Sequence, residues 1–384
     1  MTVPDRRDVA ESNRKQALKT LYDDLSAASL FPFWATTNAV DHDEVRQLLG
    51  SRRAVPHVWS YAATLEPLLR LSAELVTMDD SERRSLILVN PGLSPQRATV
   101  STLYTAYRLN DPNEVMPPHR HSPNAVRFGL TGQQNFTGVE GEDITFGPGD
   151  LVLTPHDTWH NHGNVGDEPA VNLSVLDLPL VETLNAIYFE HDYREVVDGQ
   201  LVKKKVQSAR VPSDYSQRIY GRGGLSPRFV AHDRGTGSAS PMYVYRWEPM
   251  RDMLEEHKDW DGDPYEALMV EYVDPRSGQP VYKTMTFFMQ MLRPGERTKP
   301  LKQTASLLVA PFQGSGHSMI DGKRLDWARF DTLAVPGGSW CEHVNASGGE
   351  PAILFVASDE PALRALGFHK KWGREDSGNI VRLL

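Results

Sequence analysis

Residues 114–164 read EVMPPHRHSPNAVRFGLTGQQNFTGVEGEDITFGPGDLVLTPHDTWHNHGN. His119 and His121 stand two apart, so on a β-strand both imidazoles leave the same face. His160 arrives on a later segment and can supply a third. Between them Ala125–Thr131 and residues 135–140 read as short strands. Gly132, Gly141 and Pro148-Gly149-Asp150 supply the turns. Three facing imidazoles make a neutral pocket suited to a divalent transition metal. An isolated His-x-His is more often a surface or loop feature. The specificity here comes from the second part, Pro155, Trp159-His160 and Asn164, at this distance with strands between. His162, two residues past His160, can share its face. It can act as a fourth ligand, as support for a ligand or as an acid/base, or simply pack. The acid/base role is the one favoured.

This stretch resembles the two-part motif of the cupins. Gly132 ends the first part, and Gly149, Pro155, His160 and Asn164 match the second, G-x5-P followed by H-x3-N. Many cupins add a Glu ligand four residues after the second His, where this chain has Ala125. The resemblance implies a β-barrel with a three-histidine site that lacks the carboxylate.

The rest of the chain is compatible with that reading. Its 384 residues suffice for two domains, and its net charge of −9 points to neither nucleic acid nor an anionic membrane. No apolar run approaches the roughly 18 residues of a membrane span, and residues 1–8 hold no apolar signal core. Cys341 is the only cysteine. No internal disulfide can form, and a cytoplasmic setting is expected.

Residues 1–98 are expected to form a helical N-terminal arm, of a kind that commonly covers a neighbouring subunit, with its charged first dozen residues disordered. Helices are expected at 13–28, with Leu18, Leu21, Tyr22 and Leu25 on one face, at 43–49 and around 65–75. Residues 99–179 hold the first barrel. Residues 180–282 are a connection, helix-like at 180–189, Gly/Ser-rich at 221–240 and helical at 250–257. Residues 283–384 hold a second barrel, closed by a helix at 363–367 and a charged tail at 369–376. The evidence for the second barrel is an internal repeat. Glu168-Pro169-Ala170 recurs as Glu350-Pro351-Ala352, Asp177 as Asp359 and Pro179 as Pro361. Gly132 and Asp150 match Gly314 and Asp331. With a one-residue gap, Thr154-Pro155, Trp159, His162 and Asn164 match Val335-Pro336, Trp340, His343 and Asn345. In this register His119 becomes Leu301, His121 becomes Gln303 and His160 becomes Cys341. The expected fold is all-β, a bicupin with one working site and a degenerate second barrel. Cys341 is read as a small core residue rather than a reactive thiol.

Further segments carry a narrower resemblance: residues 54–59, 82–93, 119–132 including Arg127-Phe128, 149–164 and 176–179. With these the chain resembles the gentisate 1,2-dioxygenase family, which includes salicylate and 1-hydroxy-2-naphthoate dioxygenases. The resemblance implies Fe(II), O2, a homotetramer and an aromatic acid with a hydroxyl beside its carboxylate. Both oxygen atoms would enter between the carboxyl-bearing and hydroxyl-bearing ring carbons. Iron would be held by His119, His121 and His160. Arg127 lies eight residues after His119, and its guanidinium fork suits a carboxylate. His162 would move a proton or hold a substrate oxygen, and Arg83 would reach the substrate from the arm. The chain departs from the family where the pocket is lined. Tyr104, Ala106 and Arg108 replace a common Trp, Gly and Gln, and Ser174 replaces an Asp of the gentisate enzymes. Read as an added cation at 108 and added room at 174, these changes favour a nitro- or halo-substituted salicylate such as 5-nitrosalicylate, or 1-hydroxy-2-naphthoate. The alternatives are gentisate itself, a non-redox Zn or Mn cupin enzyme, or a binding bicupin.

Overall fold

The computed structural model describes residues 6–30, 52–77, 80–81, 84–231 and 237–384. The helix expected at 43–49, part of the 221–240 segment, and Arg83 lie outside them. The chain divides into two units, Met1–Arg53 and Ala54–Leu384. In the first, one helix spans Arg6–Ala27. It begins well before the expected residue 13, so most of the charged opening expected to be disordered is helical. The stretch contains no Gly or Pro and is rich in Arg, Lys, Ala and Leu, all good helix formers. Leu18 and Leu21 are exposed. No helix among the described residues is long and apolar enough to cross a membrane.

The second unit holds two antiparallel β-barrels. The first pairs a six-stranded sheet with a three-stranded one. The large sheet runs, in spatial order, Val244–Tyr245, Leu151–Thr154, Ala125–Thr131, Ala170–Leu176, Tyr104–Asn110 and Ser85–Ile87. The small one runs Glu142–Phe146, Asn135–Val139 and His160–Asn164. The second barrel repeats the plan with two six-stranded sheets, and His57–Trp59 pairs with its Thr332–Val335 strand. Residues N-terminal to the barrels therefore contribute an edge strand to each. The connection does likewise through Val244–Tyr245 and Leu268–Glu271. The Glu66–Leu75 and Trp247–Glu256 helices lie close to their expected positions. The expected 180–189 helix is shorter, Leu178–Thr183, and Phe189 belongs to a strand. The C-terminal expectation also needs correction. After a helix over Glu360–Ala365 and Gly367, whose φ of +74° ends it, the chain forms a hairpin. Its strands are Lys371–Arg374 and Ile380–Arg382, and it pairs with Leu301–Gln303. Lys371 and Arg374 of the charged 369–376 segment sit on a strand whose pairing partner is remote in sequence.

Strand alternation divides each large-sheet strand between two environments. In Ala170–Leu176, Val171, Leu173 and Val175 enter a core shared by both barrels, while Asn172, Ser174 and Leu176 face a cavity. Tyr107 and Leu109 enter the same core, and Tyr104, Ala106 and Arg108 line the cavity. In the shared core Phe128 stacks on Phe355, with ring centroids 4.2 Å apart. Such a pair contributes about 0.5–1.5 kcal/mol beyond its buried area. The barrels also exchange matching hydrogen bonds. Thr102 donates to Asp359 and Thr284 to Asp177, each at 2.5 Å. This packing leaves the interior of the first barrel free to carry polar side chains.

Candidate active site

His119 and His160 form an antiparallel bridge, each N–H donating to the other's carbonyl at 2.9 Å. His121 follows on the same strand face. The three histidines are buried, and one ring nitrogen from each lies within 4.8 Å of the others. Each Nδ1 is anchored on a backbone carbonyl two residues away: His119 on Pro117 at 3.2 Å, His121 on Pro123 at 2.8 Å and His160 on Thr158 at 2.8 Å. A carbonyl only accepts, so each Nδ1 carries the proton and each Nε2 presents a lone pair. The Nε2 of His160 is buried and has no hydrogen-bond partner. Burial, then the neighbouring His119 and His121, hold its pKa well below the ordinary value, so it stays neutral. A buried, unmatched lone pair costs about 1–3 kcal/mol. Three neutral, oriented imidazoles with one such lone pair fit a divalent transition metal. Ala125, where a carboxylate ligand would stand, is fully buried. Its carbonyl accepts from Thr154 and Tyr282.

Arg127 lies beside this cluster. It donates to Nε2 of His162 at 2.5 Å and to Oγ1 of Thr154 at 3.0 Å. Since a guanidinium only donates, Nε2 of His162 accepts. Its Nδ1 then carries the proton, 3.4 Å from Thr137 Oγ1. Burial, followed by the charge of Arg127, holds the His162 pKa well below its ordinary value. Burial also pulls Arg127 down to about 9, which leaves it charged at neutral pH. The acceptor nitrogen of His162 thus faces Arg127 and is not one of the three that converge, although the ring packs on His119 and His160 at 5.3 and 4.9 Å between centroids.

A cavity of about 350 Å³ opens over the site. Tyr104, Ala106, Arg108 and Ser174 all line it with His119, His121, Arg127 and His162. Strand register places Ser174 opposite both Ala106 and Arg127, and Leu176 opposite Tyr104. Arg108 requires a correction. Its NH2 donates to Glu114 at 2.8 Å and its Nε to Asn110 at 2.5 Å, and the residue is 5% exposed. Glu114 also pairs with buried Arg84, which reaches Asp111 at 3.1 Å. A cation facing a barrel interior needs a counter-charge, and Glu114 supplies it. Glu114, shared with Arg84, offsets only part of the charge at 108, which still acts on Arg127 and His162.

Two features went unnoticed in the sequence. Asn172 lines the cavity one step along the strand face from Ser174. Its spacing of two from Ser174 was the available signal. The second feature is a strap at 187–191. Phe189 pairs with His121 and Glu190 with Arg120, and Arg120 Nε donates to Glu190 at 2.6 Å. The Phe189 ring meets His121 at 5.4 Å and His191 stacks on His119 at 6.0 Å, both between centroids. Nothing local in the sequence marks this pairing.

Comparisons with known proteins agree with the fold. Residues 109–176 match the family model described as the cupin domain. A gentisate 1,2-dioxygenase from a Streptomyces species is 33% identical over 365 residues, covering 93% of this chain and 96% of the relative. A 1-hydroxy-2-naphthoate 1,2-dioxygenase from Nocardioides sp. (strain KP7) is 33% identical over 327 residues, covering 84% and 80%. The crystal structure of salicylate 1,2-dioxygenase from Pseudoaminobacter salicylatoxidans, with gentisate adducts, superposes with a TM-score of 0.78. It is 28% identical and covers 94% of each chain.

Proposed function

Because the chain belongs to the gentisate and salicylate 1,2-dioxygenase family of ring-cleaving cupin enzymes, we propose that it uses Fe(II) to cleave the ring of a 2-hydroxyaryl carboxylate. Both atoms of O2 enter between the carboxyl-bearing and the adjacent hydroxyl-bearing carbons. The observation that carries this reading is the carbonyl-anchored histidine cluster, with the unmatched Nε2 of His160, opening on a cavity that also holds Arg127. Held by His119, His121 and His160, ferrous iron would supply open positions for O2 and for a chelating carboxylate and phenolate, and the redox capacity to couple them.

The protein's own groups account for substrate placement. Arg127 spends two of its donors on His162 and Thr154 and keeps others for a substrate carboxylate. Its burial makes that attraction stronger than it would be in water. His162 is neutral. Its Nε2 accepts from Arg127 and so fixes the guanidinium, and that nitrogen becomes a base for the substrate hydroxyl only when Arg127 turns to the substrate carboxylate. Phe189 and Ile187 add apolar surface to the cavity lining. Tyr104, Ala106 and Ser174 shape the wall that meets the ring. With Arg108 paired to Glu114, the electrostatic case for an electron-poor nitro or halo substituent is weakened. A homotetramer working in the cytoplasm is the assembly and setting that the family resemblance suggests.

The test is oxygen uptake by Fe(II)-loaded protein with salicylate, gentisate, 5-nitrosalicylate and 1-hydroxy-2-naphthoate, with mass spectrometry of the products. Uptake with ring opening by two added oxygens is expected for at least one. No uptake with any of them would overturn the reading.

A further inference from the structure

Asn172 stands apart from the catalytic groups, yet its environment is specific. It is 3% exposed and borders the cavity on the same strand face as Ser174. Its Nδ2 donates to Oδ1 of Asn135 at 3.1 Å. The Nδ2 of Asn135 in turn donates to the backbone carbonyl of Thr131 at 3.2 Å. A carbonyl cannot donate, so the Asn135 amide has one orientation. That fixes the Asn172 amide as well, because only its NH2 can meet the Asn135 oxygen. The Oδ1 of Asn172 is left buried and without a hydrogen-bond partner. A side-chain carbonyl buried beside a substrate cavity and locked against flipping is an acceptor waiting for a donor.

Its position says where that donor would come from. Ser174 pairs with Arg127, whereas Asn172 pairs with Gly129 and Arg108. Asn172 is thus two residues, roughly 6.5 Å, further along the strand than the position opposite Arg127. A ring whose carboxylate meets Arg127 would present a distal substituent toward Asn172. The neighbouring Arg108 donates to Glu114 and Asn110.

We propose that the Asn172 side-chain carbonyl accepts a hydrogen bond from a hydroxyl or amino substituent on the substrate ring, and so selects donor-bearing 2-hydroxybenzoates over those bearing hydrogen, halogen or nitro. This rests on the ring-cleavage reading above and adds the ring substituent to it. A site built to bond a substrate O–H or N–H discriminates strongly against the analogue lacking it, because the site's own polar atom is then left unmatched. The unfilled acceptor would also disfavour a nitro group. Its oxygens would face Oδ1 acceptor to acceptor.

The experiment compares kcat/KM for the 3-, 4- and 5-hydroxy- and aminosalicylates with salicylate and 5-nitrosalicylate, in the Fe(II)-loaded wild type and in Asn172→Leu. Salicylate is the internal reference, since general damage to the pocket lowers every substrate together. The best donor-bearing substrate should exceed salicylate by roughly tenfold or more in the wild type, and Asn172→Leu should collapse that ratio to near unity. If the leucine variant is insoluble, Asn172→Ala gives the same readout. Dissociation constants from calorimetry under nitrogen, without turnover, should show the same ratios. A wild-type preference for salicylate or 5-nitrosalicylate, or a donor preference unchanged in Asn172→Leu, would overturn the proposal and leave ring cleavage standing. Turnover of none of these compounds would overturn both.

Discussion

The two barrels present the same strand positions with different side chains. His160 pairs with Val139 and His162 with Thr137; in the second barrel Cys341 pairs with Ile320 and His343 with Ser318. His119 bridges His160 as Leu301 pairs with Cys341. Arg127 lies opposite Ser174 as Val309 lies opposite Val356. The backbone scaffold is thus shared, and the chemistry depends on what it carries. In the first barrel three Nε2 atoms converge beside a buried arginine under a cavity of about 350 Å³. In the second, Cys341, Val309 and Val356 belong to one apolar cluster, and the corresponding space shrinks to about 30 Å³. Burial raises the Cys341 thiol and lowers His343 to about 4, so both are neutral. His343 bonds Ser318 Oγ at 2.7 Å and lies 3.7 Å from the Cys341 sulfur. A surviving histidine without its neighbours becomes part of a packed core.

Converting one barrel into the other should have the largest effect. His119→Leu, His121→Gln and His160→Cys together reproduce the second barrel's residues in the first. Oxygen uptake should fall to background while circular dichroism stays native-like. Persistent uptake would show that the histidines are not the working difference.

The carboxylates at equivalent turns give the next contrast. The backbone carbonyl of Glu114 accepts from Asn164 N–H, and that of Glu296 from Asn345 N–H. Glu114 is buried between two arginines, whereas Glu296 pairs with the partly exposed Arg293. Glu114→Gln should cost roughly 3–5 kcal/mol in denaturant unfolding. Glu296→Gln should cost about 0–1 kcal/mol. Equal costs would remove the claim that Glu114 compensates the cavity wall.

Arg127→Ala should lower kcat/KM by about 10²-fold or more, as expected for a lost charged orienting group, and His162→Ala should do likewise. Metal content should survive both. Metal loss in His162→Ala would make it a fourth ligand. The smallest effect is expected for Cys341→Ser, which replaces a neutral thiol beside His343 and should leave turnover unchanged.

The features legible in the sequence were those set by short-range spacing. The period of two placed His119 with His121, whereas Tyr104, Ala106 and Arg108 were pointed to by the family resemblance rather than by spacing. The internal repeat aligned His160 with Cys341, and the strand registers agree with that alignment. What escaped notice depends mostly on pairing between distant segments. The Arg108–Glu114 pair is close in sequence, but only the barrel's closure shows that both are buried. The 187–191 strap meets His121 across a connection with no pattern of its own. The C-terminal hairpin was hidden because a charged segment reads as solvated until a neighbouring strand is known. Asn172 stands two residues from Ser174, but an asparagine in a strand carries little signal alone.

The central claim is that one barrel holds the metal and the other does not. Iron per chain, measured by mass spectrometry after anaerobic Fe(II) loading and desalting, tests it most directly. About one iron per chain is expected in the wild type and in Cys341→Ser, and close to none in His160→Ala. Two irons per wild-type chain, or a full complement in His160→Ala, would contradict the account.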